Sequence, residues 1–158
     1  MDKKKIIIIS AAIYPRNTPR AHRATELAKE FARRGHDVTI YSVLGKYDYS
    51  NFITQYKLNV RNIGKMFFYP VNSDGETKNN LLLKILTKLL KRWFEFPDIE
   101  LMFKIPHILR KEQKADMLIT IAIPHAVHWG VALYKSRHPI NHLKTWIADC
   151  GDPYMGNA

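Results

Sequence analysis

Two nearly continuous apolar runs, at 6–10 and 117–123, dominate the hydrophobic pattern of the chain. Strands that are buried on both faces show such runs, whereas half-exposed strands alternate apolar and polar residues. We therefore predict two central parallel strands at these positions. Shorter apolar stretches predict further strands at 38–43, 58–63 and 145–148, the last of which ends at Asp149.

Helical periodicity occupies the segments between the predicted strands. Thr18 and Pro19 carry the signals of an N-cap and a first turn, and Gly35 stands where a left-handed residue would end that helix. A later helix is predicted from Asp98 to about residue 113, with Pro106 expected to kink or break it. Another is predicted over 126–134.

Alternating strands and helices predict an α/β protein with a Rossmann-like, doubly wound, mainly parallel sheet flanked by helices. A length of 158 residues fits one domain, so residues 1–158 are predicted to form a single unit. The predicted last strand lies a few residues before Ala158, with no helix after it to cover it. We therefore expect a piece excised from a longer chain.

An amphipathic, lysine-rich helix is predicted from Asn79 to Glu95. It suits either packing on the sheet as a surface helix or peripheral contact with an anionic membrane. The chain carries 25 Lys and Arg against 14 Asp and Glu, a net charge of +11 that favours anionic partners. The sequence contains no helix-turn-helix, RRM or KH signature, so we do not predict nucleic-acid binding.

Cysteine content and hydropathy bear on the compartment. Cys150 is the only cysteine, so the chain cannot form an internal disulfide, which is typical of a reducing cytoplasm. The apolar run near the N-terminus is too short for a signal peptide, and no run approaches the roughly 20 apolar residues needed to span a bilayer. We expect a cytoplasmic protein, at the inner face of the membrane if the basic helix binds lipid.

Ligands of open parallel sheets bind beyond the carboxyl ends of the strands. Three predicted loops lie there, at 11–20, 123–128 and 149–154. The first contains Arg16 and Arg20, whose guanidinium groups suit a phosphate or a carboxylate. It lacks Gly-x-Gly-x-x-Gly and a Walker lysine, which argues against NAD and ATP, so we predict no cofactor for this chain.

The other two loops offer weaker candidates. His125 and His128 form a His-x-x-His pair without an acidic or cysteine partner, so we predict no metal site, although a histidine here suits hydrogen bonding to a sugar. Asp149 and Asp152 follow a strand end, where turn formation and ligand contact are equally open.

The segments Lys5 to Pro15 and Arg20 to Val38, the latter with a Leu-Ala pair and Gly-His-Asp-Val, resemble the start of family 4 glycosyltransferases. Later landmarks, including Phe96 to Asp98 and Trp146 to Pro153, are similar to those of the same family. The first loop departs from the pattern, because residues 15–20 replace a glycine pair. Residues 122–123 stand where some members carry a histidine before the proline.

The resemblance implies the N-terminal, acceptor-side half of a retaining GT-B glycosyltransferase, which transfers a sugar from a nucleotide-sugar to a glycan or lipid-linked acceptor in cell-surface polysaccharide synthesis. It implies that the nucleotide-sugar binds mainly in a C-terminal domain that this chain does not contain, so that the isolated domain is inactive. The expected acceptor-binding residues are Arg16, Arg20, His125, Asp149 and Asp152, and no catalytic residue is assigned.

Two alternatives from other classes stay open. A non-catalytic module that binds a peripheral membrane surface or an anionic ligand would use the same fold and the basic helix. A Rossmann-like oxidoreductase is disfavoured by the missing glycine fingerprint.

Overall fold

The computed structural model describes residues 2–66, 98–112, 114–122, 124–138 and 143–151. These residues alternate between strands and helices along the chain. Their order is β1 (Lys5–Ser10), α1 (Pro19–Arg33), β2 (Asp37–Ser42), α2 (Ser50–Tyr56), β3 (Asn59–Asn62), α3 (Glu100–Lys111), β4 (Ala115–Ile121), α4 (Ala126–Arg137) and β5 (Leu143–Asp149).

The strands form one sheet in the order β3-β2-β1-β4-β5, and all neighbouring strands are parallel. β1 lies in the middle, where Ile8 stands between Ile40 of β2 and Ile119 of β4. β2 and β3 extend the sheet on one side of β1, and β4 and β5 extend it on the other. The predicted Rossmann-like, doubly wound α/β fold is confirmed.

The central strand is buried on both faces, as its apolar run predicts. Ile7 and Ile9 belong to the core that includes residues of α3 and α4, whereas Ile6 and Ile8 belong to the core on the side of α1 and α2. All four side chains are fully buried. Each contributes roughly 1.5–3 kcal/mol by removal from water, so β1 stabilises the sheet through both of its faces.

Helix α1 begins and ends at the predicted signals. The Thr18 hydroxyl accepts a hydrogen bond from the backbone N–H of Ala21 at 3.2 Å, and Pro19 is the first helical residue. Gly35 has a φ of +86°, a left-handed conformation that favours glycine. These signals fix the N-terminus of α1 at the carboxyl end of β1.

Glu112, directly after α3, is a buried carboxylate that ties this helix to three strands. It accepts hydrogen bonds from Lys5 Nζ at 3.1 Å, from Arg61 Nη1 at 2.6 Å and from the Tyr41 hydroxyl. Burial by itself would raise the pKa of the Glu112 carboxyl, but hydrogen bonds from Tyr41 and Lys5 outweigh it and hold the pKa below its usual value. The ion pairs thus keep a charged group inside the fold.

Three details differ from the sequence-based expectations. Helix α2 was not predicted. Pro106 does not break α3, which runs through it; Ile105 and Leu109 beside it are fully buried, and this packing offsets the roughly 3 kcal/mol that an internal proline costs. The N-cap of α3 is Ile99 rather than Asp98.

Two predictions concern the membrane. The basic helix predicted from Asn79 to Glu95 lies outside the described residues. Within the described ranges, no helix combines the length and the apolar character that a bilayer crossing requires.

Candidate functional site

The carboxyl ends of β1, β4 and β5 meet along one edge of the sheet. Ser10 at the end of β1 pairs with Ile121 of β4, and Ile121 pairs with Asp149 of β5. The backbone N–H of Ala122 donates to the carbonyl oxygen of Asp149 at 2.9 Å, which continues the alignment past the strands. The three predicted loops therefore start from one edge, as far as residues 11–20, 124–128 and 149–151 describe them.

A cleft of about 310 Å³ opens at this edge, beside the point where the strand order changes direction. Residues from the start of α1, the end of β4 and the segment after β5 line it. Its lining consists of Thr18, Pro19, Arg20, Arg23, Ala122, Cys150 and Gly151. Open α/β sheets bind ligands at this topological position, so we take this cleft as the candidate site.

The N-terminus of α1 gives the cleft its positive character. Arg20 and Arg23 are three residues apart on α1 and therefore project from neighbouring positions on the helix surface. The partial positive charge of the helix N-terminus adds to their charge. Together these groups favour an anionic ligand, such as a phosphate or a sugar carboxylate.

Asp149 holds Arg23 in the structure. Arg23 Nη1 lies 3.2 Å from Asp149 Oδ1 and 3.3 Å from Oδ2. The Gly151 backbone N–H also donates to Oδ1, at 3.0 Å, and Gly151 adopts a φ of +68° that suits glycine. Asp149 lies beside the cleft but is not among the residues that line it. Asp149 thus holds both the turn at Gly151 and the guanidinium group of Arg23.

The other predicted acceptor residues occupy different places. Arg20 lines the cleft. The Arg16 backbone N–H donates to the Ile13 carbonyl oxygen and closes a turn. Burial raises the pKa of Tyr49, and the positive charge of Arg16 opposes that rise. His125 is the N-cap of α4, at the same edge but outside the cleft lining. Asp152 lies outside the described residues, and its role stays a prediction.

His128, behind His125, takes part in a buried polar network. Its Nδ1 is 2.7 Å from the Thr120 hydroxyl, and the indole N–H of Trp146 donates to the same hydroxyl at 2.9 Å. Thr120 lies one residue before the end of β4, so the network connects α4, β4 and β5 directly behind the cleft edge. This connection gives the buried His128 side chain a polar partner. Among the described side chains, no group of three or more His, Cys, Asp or Glu gathers that could hold a metal ion.

A larger hollow of about 620 Å³ lies at the other end of α1, beside the end of α2. Its charges are largely paired: Lys29 with Glu26 at 2.7 Å and Arg33 with Glu30 at 2.7 Å. Hydrogen bonds from Arg33 and Arg34 lower the pKa of Glu30 to about 2. Ligands of open α/β sheets bind at the carboxyl edge, and this hollow lies away from that edge, so the smaller cleft is the better candidate.

Sequence reasoning missed Arg23 as a cleft residue, and it placed Cys150 and Gly151 in a loop at the binding edge without naming either as a site residue. Arg23 had a usable signal, since a residue three positions after Arg20 on a helix shares its surface. The positions of Cys150 and Gly151 depend on how the segment after β5 folds back toward α1, which the local sequence does not encode.

No protein-family model and no curated protein matches this chain. Among solved structures, a glycosyltransferase from Rickettsia africae ESF-5 aligns at 16% identity with a TM-score of 0.50, covering 98% of this chain and 32% of the glycosyltransferase. Two structures of the C-terminal domain of a Pyrococcus furiosus hydrogenase align at 15% identity with TM-scores of 0.49 and 0.48, covering 95% and 94% of this chain and 94% and 93% of those domains.

The likeness to the glycosyltransferase shows a shared α/β fold, and this chain spans about a third of that protein's length. The hydrogenase domains score below 0.5 and carry no functional argument. The fold and the cleft together define a Rossmann-like α/β protein with a candidate cleft, lined by two arginines, at the carboxyl edge of its sheet.

Proposed function

We propose that this chain is the acceptor-side domain of a glycosyltransferase, in which the cleft at the carboxyl edge receives a glycan or lipid-linked acceptor. The observation that carries the proposal is the cleft rimmed by Arg20 and Arg23 at the switch between β1 and β4. The fold likeness to a glycosyltransferase over 98% of this chain supports the same assignment.

The arginines suit an acceptor that carries a phosphate or a carboxylate. A guanidinium group donates two parallel hydrogen bonds to such a group and stays charged at all physiological pH values. Asp149 orients Arg23, and the helix N-terminus adds its own attraction for the anion. We assign these groups to binding and positioning of the acceptor, and none of them to the chemical step.

The sugar donor is assigned to a second domain. The first loop of this chain carries no Gly-x-Gly-x-x-Gly through which a nucleotide pyrophosphate would approach the backbone. By resemblance to family 4 enzymes, that domain would bind a nucleotide-sugar, and transfer would retain the anomeric configuration. The cleft would then form one wall of the reaction site, facing the donor.

The test is a transfer assay on the protein that contains this chain and its downstream reading frame. Radiolabelled UDP- and GDP-sugars are supplied with lipid and glycan acceptors, and product is quantified for the wild type and for Arg20→Ala and Arg23→Ala. Arg137→Ala is the matched control, since Arg137 is an exposed arginine at the far end of α4.

Loss of a charge-assisted hydrogen bond costs roughly 1.5–3 kcal/mol, so each cleft variant is expected to raise the acceptor KM by about tenfold or more. The control should leave it unchanged. The proposal fails if no donor supports transfer, or if the cleft variants behave as Arg137→Ala does.

A further inference from the structure

Two exposed tyrosines form a corner at the carboxyl edge of the sheet. Tyr14 follows β1 and Tyr47 follows β2, and each is 43% exposed. Their ring centroids are 5.5 Å apart with the planes at 87°, and their hydroxyl oxygens lie 3.5 Å apart. We call Tyr14 and Tyr47 the aromatic corner. It presents two aromatic rings and a pair of hydroxyl groups to solvent.

The aromatic corner is held in place from behind. The Tyr14 N–H donates to the buried Thr25 hydroxyl at 3.0 Å, and the Tyr49 hydroxyl donates to the Tyr14 carbonyl oxygen at 2.7 Å. The Tyr14 ring also stacks on Phe52, which is only 7% exposed, at an interplanar angle of 11°. Because folding already orders these rings, a ligand that binds here does not pay the entropy cost of ordering them, and this preorganisation favours affinity.

The position of the aromatic corner links it to the candidate site. Both tyrosines follow parallel strands and therefore lie at the carboxyl edge, like the cleft. The loop that contains Tyr14 continues to Thr18, which lines the cleft. Burial raises the pKa of the neighbouring Tyr49 while the charge of Arg16 opposes the rise, so Arg16 lies close enough to Tyr49 to act on it electrostatically. The corner and the cleft are thus connected by one short loop, from Tyr14 to Thr18.

We propose that the aromatic corner binds a pyranose ring of the acceptor glycan; its assignment to the acceptor rests on the proposed function. The face of an aromatic ring carries negative partial charge and attracts the C–H groups on the apolar face of a pyranose. The two hydroxyl groups then donate to and accept from the equatorial hydroxyls of the sugar. A purely apolar partner could not form hydrogen bonds with these two hydroxyl groups.

The proposal is tested by binding of the wild-type protein to an array of mono- to tetrasaccharides, followed by titration of the retained sugars. Tyr47→Ala removes one ring of the corner, and Tyr47→Phe removes only its hydroxyl. Phe103→Ala is the matched control, since Phe103 is an aromatic residue of α3 that is 60% exposed. Thermal melting checks that each variant is folded.

At least one pyranoside should bind, with affinity about tenfold lower in Tyr47→Ala, an intermediate loss in Tyr47→Phe and no change in Phe103→Ala. If Tyr47→Ala melts early, chemical-shift changes of the tyrosine ring protons on sugar addition to the wild type decide the point. The inference is overturned if no sugar binds, if the Tyr47 variants match Phe103→Ala, or if UMP or GMP displaces the sugar.

The two proposals fail separately. Transfer activity with an acceptor KM that ignores Tyr47 would overturn the aromatic corner and leave the glycosyltransferase standing. Sugar binding that depends on Tyr47, in a protein without transfer activity, would support the sugar site and overturn the enzymatic assignment.

Discussion

Arg23 and Asp149 form an ion pair between residues 126 positions apart in the chain, from the first turns of α1 to the end of β5. Asp149 is a predicted acceptor-contact residue, and in the structure its carboxylate holds an arginine of the cleft. The pair decides where the positive charge of the site is placed.

We expect this pair to contribute little to global stability. The side chains are 44% and 31% exposed, and exposed ion pairs are worth about 0.2–1 kcal/mol. A double-mutant cycle of Arg23→Ala and Asp149→Ala, measured by urea unfolding, should give a coupling energy below about 1 kcal/mol and weaker still at high salt. A coupling of several kcal/mol would show that the pair is a main stabilising contact of the fold.

Cys150 provides a chemical reporter of the cleft. It is exposed, lines the cleft and is the only cysteine of the chain. A thiol-reactive dye should label it in the folded protein, and an acceptor bound in the cleft should slow the labelling by restricting access. Cys150→Ser removes the signal and serves as the control, while equal labelling rates at saturating acceptor would place the acceptor elsewhere.

Acid should destabilise the protein through Glu112. Its pKa is lowered in the folded state by hydrogen bonds from Tyr41 and Lys5, against the effect of burial. A lowered carboxyl pKa stabilises the fold above the unfolded value of about 4.3 and loses that contribution as pH falls through the folded pKa. Urea unfolding of the wild type between pH 7 and pH 3 should show this loss.

Glu112→Gln is the matched variant for the acid effect. It should cost about 1–2 kcal/mol at pH 7, since Lys5 and Arg61 keep partial access to water after losing their partner. Its stability should also depend less on pH below about 4.3. An unchanged acid dependence would assign the effect to other carboxylates.

Gly130 of α4 allows close packing against α3. A Cβ at this position would lie 2.8 Å from Ile105 Cβ, so one helix must shift to accept it. Gly130→Ala should therefore destabilise the fold by about 1–3 kcal/mol, although alanine in an unhindered helix gains about 1 kcal/mol over glycine. Thermal melting measures the sign, and a stabilised variant would contradict the close approach of the two helices.

The strands were the most predictable part of the molecule. β1 and β4 lie inside the sheet, and burial on both faces leaves a continuous apolar run that has few other interpretations. Thr18 and Gly35 were equally direct, because each performs its role through its own backbone geometry. The sequence therefore predicted that the carboxyl ends of β1, β4 and β5 meet at one edge of the sheet.

Features that depend on distant residues were less accessible. Helix α2 has seven residues, too few for helical periodicity, and a local hydrogen bond from the Ser50 N–H to Asp48 precedes its first turn. The partner of Asp149 is separated from it by most of the chain. The edge-to-face contact between the Tyr14 and Tyr47 rings likewise depends on the pairing of β1 with β2.

The central place of β1 has a consequence for folding. Its backbone contacts residues about 111 positions later, through the hydrogen bond from the Lys5 N–H to the Asp116 carboxylate. Such long-range pairing slows folding, because a long loop must close before the contact is formed. Until β4 is synthesised, a chain emerging from the ribosome lacks one neighbour of this apolar strand, and an unpaired apolar strand edge favours aggregation.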